Sequence, residues 1–108
     1  MEFKNVKNIF APEITKFDLT EKEVEYICML SSGVDKKKAM ELLSMSYAKI
    51  RDFYGKLGLT DKKMKRDVQA ATLMASNNLI KNDVLLNLYK KYGLVKCKEL
   101  AELTTNNQ

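Results

Sequence analysis

Histidine and tryptophan are absent from this chain, proline occurs once, cysteine twice and glycine four times. Without imidazole, a serine or cysteine nucleophile has no histidine to take its proton, and metal sites that depend on histidine are excluded. So few glycines and prolines leave little for the turns of an all-β protein, and the composition favours an all-α fold. Cys28 and Cys97 lie far apart among apolar neighbours, with no Cys-x-x-Cys spacing. They read as reduced packing cysteines, and nothing requires a disulfide between them. No apolar run approaches a membrane span, and Lys4 and Lys7 interrupt the apolar residues near the start, so no signal peptide is read there. The expectation is a cytoplasmic protein of one domain, or one domain with a satellite element, not an enzyme, with no metal, no cofactor and no membrane contact.

What the chain has is positive charge in one place. Ten basic residues fall between Lys36 and Arg66, Lys62 among them, against three acids, Glu41, Asp52 and Asp61, while the whole chain carries only +5. A localised basic surface suits a polyanion, although lysine-rich helix faces are also common on soluble proteins.

The periodicity gives the elements. Residues 1–18 read as an arm, with Phe3, Val6, Ile9 and Phe10 spaced for one or two amphipathic helical turns before Pro12 stops them. Thr20 and Glu23 have the spacing of a capping box, with Leu19 and Val24 placed for a hydrophobic staple. The helix they open buries Val24, Ile27, Cys28 and either Leu30 or Ser31, and ends at Gly33. Asp35 is read as the cap of a second helix whose first turn is Lys36, Lys37 and Lys38. Three cations at a positive helix end oppose the dipole at about 1 kcal/mol in total, a cost that a bound phosphate would offset. Ser46 caps a third helix, with Ile50, Phe53 and Leu57 inward and Tyr47, Ala48, Lys49, Arg51, Asp52 and Tyr54 outward.

A fourth helix is expected from Thr60 or Asp61, with Met64, Val68, Ala71, Ala75 and Leu79 at helical spacing and Ala70, Leu73 and Met74 widening the apolar band. A band that wide points to burial on two sides, one of them a second subunit, so those five residues are the candidate dimer interface. Asn82 is read as the cap of a fifth helix closed by Gly93. A short sixth helix and a frayed tail from Thr104 to Gln108 follow.

Residues 19–46 carry the pattern Leu-Thr-x-x-Glu-x-Glu-x-Ile-x-x-Leu-x-x-Gly, then Lys37, Glu41, Leu43, Met45 and Ser46 in register. This resembles the LuxR/GerE-type helix-turn-helix DNA-binding domain. Ile50-Arg51, Lys56-Leu57-Gly58-Leu59 and Leu79-Ile80 extend the likeness more loosely to residue 80. The resemblance implies a helix-turn-helix core of four helices over residues 19–80, with residues 81–108 as an added helical extension. It also implies that helix three enters the major groove of double-stranded DNA. The chain departs from the family pattern in four ways. Ala39-Met40 reverses the sizes of the family's usual pair, and Lys49 replaces a threonine. The stretch between Ile50 and Lys56 is about one turn short. The family's base-facing positions fall on Arg51, Asp52 and Gly55, of which only Arg51 is a cation.

The leading expectation is therefore a small stand-alone transcriptional regulator that binds DNA as a homodimer. Lys36, Lys37, Lys38, Ser46, Tyr47, Lys49, Arg51, Asp52 and Lys56 form its contact surface. A regulatory protein partner would meet the arm or the C-terminal helices. The other reading is a helix-turn-helix-derived interaction module that binds or inhibits another regulator without reading DNA itself.

Overall fold

In the computed structural model, which describes residues 1–61 and 63–106 and only the backbone of residues 105 and 106, Thr20 and Glu23 close the expected capping box. The Glu23 N–H donates to Thr20 Oγ1 at 3.2 Å and the Thr20 N–H to Glu23 Oε1 at 2.8 Å. Helix α1 then runs Glu21–Ser31, and Gly33, at φ 91°, takes the chain out of it. Burial extends well beyond one stripe: Val24, Glu25, Tyr26, Ile27, Cys28 and Met29 are all inside. The reason is its central position, since α2 (Lys36–Leu43), α4 (Arg66–Ser76) and α5 (Asn82–Tyr92) all pack on α1. The remaining helices are α3 (Tyr47–Lys56) and α6 (Val95–Asn106), and α6 lies along α5. None among the described residues is long and apolar enough to cross a membrane. The molecule is thus mostly helical.

Asp35 stands at the start of α2 without the side-chain hydrogen bond expected of a cap, so only its charge serves that helix end. Ser44, left-handed at φ 53°, then turns the chain and Met45 drops into the core. Ser46 caps α3 as its position predicts, with Oγ accepting from the Lys49 N–H at 3.2 Å. Ile50, Phe53 and Leu57 point inward. Tyr54 does too, contrary to the outward reading, with 2% of its surface exposed. Its hydroxyl donates to the Asp67 carboxylate on α4, its ring centroid sits 5.4 Å from that of Phe53, and the Arg66 guanidinium lies 5.8 Å from the ring. A tyrosine can be buried when its hydroxyl finds a partner, and here the partner comes from a helix the local pattern could not reveal.

Asp67 also holds Lys36 at 3.2 Å, so one carboxylate joins α2, α3 and α4. Burial, and next the hydrogen bond to Asp67, raise the Tyr54 hydroxyl, while burial pushes Tyr26 on α1 up to about 12. Both stay protonated at neutral pH. Asp67→Ala strands the buried Tyr54 hydroxyl and should cost about 2–3 kcal/mol in urea unfolding, whereas Tyr54→Phe, which removes donor and need together, should cost about 1 kcal/mol. Equal losses would remove Asp67 from this role.

Helix α4 begins at Arg66, not at Thr60 or Asp61. The buried Gln69 amide donates to the carbonyls of Thr60 at 2.6 Å and Met64 at 2.7 Å. Those carbonyls are thereby held in a loop by a side chain instead of by helical N–H groups. Lys62 lies outside the described residues. Ala70, Leu73 and Met74 form the inner face of α4.

Asn82 is the first residue of α5 rather than its cap, which is Lys81. Its Oδ1 accepts from Thr104 Oγ1 at 2.7 Å, a link between α5 and α6. Helix α6 is accordingly not short, and it carries Thr104, Thr105 and Asn106 where a frayed tail was expected; Asn107 and Gln108 lie outside the described residues. Cys28 and Cys97 are buried free thiols; burial pushes Cys28 up to about 12 and raises Cys97 as well. They are packing groups at neutral pH.

The arm is not helical. Strands β1 (Glu2–Phe3) and β2 (Phe17–Asp18) pair antiparallel, with Phe3 opposite Phe17, and the chain turns between them. The organiser is Asn8, 5% exposed, whose Oδ1 accepts from the Phe10 and Ala11 N–H groups at 3.1 and 3.0 Å. Its amide donates to the Leu57 carbonyl at 3.0 Å, which pins the arm to the end of α3. Asparagine favours such turns because its side chain mimics a backbone carbonyl. Val6, Phe17 and Leu19 then join the same core as the helices.

Candidate nucleic-acid interface

The first turns of α2 and α3 contain no acidic residue. In α1 the third helical position is Glu23, which completes the capping box; in α3 the equivalent position behind Ser46 is Lys49. A glutamate there would close the same box on Ser46 and complement the dipole, so lysine gives up stability that the local design offers. Lys37 and Lys38 do the same on α2 and are exposed. Lys37, Lys38, Lys49 and Arg51 form no ion pair among the described residues and are available to an external anion.

Two of the expected contact residues are differently engaged. Lys36 is half-buried and bound to Asp67. Lys56 lies 2.7 Å from Glu23 and 5.8 Å from the Phe53 ring centroid, which ties α3 to α1. Neither pairing is visible in sequence spacing, because the partners are 31 and 33 residues away.

The outward side of α3 carries Tyr47, 63% exposed, then Ala48, Lys49, Arg51 and Asp52. Ser46 is exposed, but its hydroxyl is already engaged by the Lys49 N–H. The arm meets α3 at Leu57 and Gly58, the opposite end from Tyr47. Beside α3 runs a groove of about 620 Å³ toward the start of α1, lined by Met45, Lys49, Asp52 and Lys56 on one side and Thr20 and Glu23 on the other. Among the described residues no cluster of three or more acidic, cysteine or histidine side chains is placed to hold a metal ion.

Comparison with protein-family models, curated proteins and solved structures finds no match to this chain.

The five residues expected at a subunit interface divide. Val68 is 50% exposed, Ala75 is exposed and Ala71 half-buried, all on the outer side of α4. Met64, 41% exposed, precedes the helix and lines a small groove with Ile9 and Phe10. Leu79 contributes its side chain to the core. Ala71 and Ala75 also line a groove of about 500 Å³ with Ile80 and Leu100.

Proposed function

We propose that this protein is a small regulator that binds double-stranded DNA through α3. The carrying observation is the set of exposed cations, without ion pairs among the described residues, at two helix starts: Lys37 and Lys38 on α2 and Lys49 on α3, with Arg51 two residues further on. Their cost against the helix dipoles is recovered when phosphates sit at those ends. The likeness of residues 19–80 to LuxR/GerE-type domains supports the same placement. In this reading Lys37, Lys38 and Lys49 hold phosphates, and Arg51 reads a guanine edge for about 1–3 kcal/mol of discrimination. Lys36 and Lys56 contribute little directly, because Asp67 and Glu23 already neutralise them. In this reading two copies pair through Val68, Ala71 and Ala75 on α4, and the bound site has two half-sites about one helical turn apart.

Selection of bound sequences from a random duplex pool tests the reading. Arg51→Ala should flatten base preference at one position of each half-site, while Lys37→Ala should weaken all sequences alike by about 1 kcal/mol. A base preference unchanged by Arg51→Ala would exclude that residue from reading.

A second reading, an interaction module that has lost DNA recognition, draws on Asp52 beside Arg51 and on the internal pairing of Lys36 and Lys56. It requires a protein partner to change the oligomeric state on mixing while the pool selection yields no enriched sequence.

A further inference from the structure

A further groove, of about 490 Å³, runs between α1 and α5. Val24, Val84 and Leu86 give it apolar walls, and Glu21, Glu25 and Asp83 give it negative charge; Lys90 lines it as well. Glu25 is the unusual member. It is 5% exposed, yet among the described residues it forms no hydrogen bond and no ion pair. Asp18, Glu23, Asp61, Asp67 and Glu102, all less buried, each hold a cation. Burial raises the Glu25 carboxyl; Lys91 opposes that at longer range, Glu21 adds to it, and Lys22 opposes it slightly. The carboxylate keeps some contact with solvent but is partly desolvated and has no direct partner among the described residues, so a cation delivered into the groove would pair with it.

The shape of the groove selects the cation. Its apolar walls beside a carboxylate fit a side chain with an apolar stem and a charged head, which is the build of arginine and lysine. A groove between two helices is also a common seat for an amphipathic peptide. We propose that the α1–α5 groove docks a basic amphipathic segment of a partner protein, with an arginine or lysine head seated against Glu25. This site is separate from α3 and does not rest on the DNA reading.

The test uses the full chain, 15N-labelled, and a short amidated helical peptide with leucines on one face and one central arginine. Its control carries citrulline, the neutral isostere, in place of the arginine. The arginine peptide should give saturable amide shifts centred on Val24, Glu25 and Val84. The citrulline peptide should bind about tenfold more weakly or worse, and Glu25→Gln should erase the difference between the two. Equal binding of both peptides to the natural protein overturns the proposal, as does absence of saturable shifts in the groove. Spermidine saturating the same shifts as tightly as the peptide would also overturn it, in favour of a free polycation.

Discussion

Gly58→Ala should lower the unfolding free energy by about 3 kcal/mol. Gly58 has φ 72°, and a Cβ there would stand 2.6 Å from Ile14 Cδ1 and 2.7 Å from Ala11 Cβ. The left-handed backbone costs about 1–2 kcal/mol for a residue with a Cβ. Overpacking adds about 1–3 kcal/mol, since Ala11 Cβ is fixed to the backbone and cannot swing away. The loss should fall on the arm, because Ala11 and Ile14 belong to the segment that Asn8 fastens to Leu57. Two other glycines provide the contrast. Gly33→Ala meets only Lys96 Cδ at 3.8 Å and should cost the backbone strain alone, about 1 kcal/mol. Gly55, on the exposed side of α3 with nothing within 4 Å, should gain about 0.5–1 kcal/mol as alanine. Urea unfolding of the three variants checks the order, and a neutral Gly58→Ala would mean that the arm does not rest on that corner.

Joint replacement of Lys49 and Arg51 by glutamate should weaken DNA binding by about 3 kcal/mol, roughly a hundredfold, from two lost charge-assisted contacts alone. Repulsion of phosphate by the new carboxylates adds to that loss. The same change should not unfold the protein. Both residues are exposed, and glutamate at position 49 would close a capping box on Ser46. Stability should therefore hold or rise by about 0.5 kcal/mol while binding collapses. Fluorescence anisotropy with a labelled duplex, next to thermal unfolding of the same samples, separates the two. A variant that binds as tightly as the original removes α3 from the interface.

The sequence revealed what is local. Thr20 with Glu23, Ser46 before α3, Gly33 and Gly93 after their helices all signal through near neighbours, and each sits where its spacing predicts. What it concealed depends on distant partners. Tyr54 reads as outward until Asp67 is found beside it, and Lys36 and Lys56 read as free cations until Asp67 and Glu23 meet them. The start of α4 failed for the same reason: Gln69 reaches back to two loop carbonyls, and nothing in the apolar spacing records that. The arm misled differently, because four apolar residues fit a short helix as well as an extended segment until Asn8 and Pro12 decide the turn. Of the candidate interface, the cations Lys37, Lys38, Lys49 and Arg51 were legible and the internal pairing of Lys36 and Lys56 was not.

Titration of a DNA duplex with the full chain at several salt concentrations tests the central claim most directly. With Lys37, Lys38 and Lys49 as the phosphate contacts of each copy, log affinity should fall with log salt at a slope of roughly −3 for one copy and about −5 for a bound dimer. A slope near zero, or no retained duplex at about 50 mM salt, would contradict it.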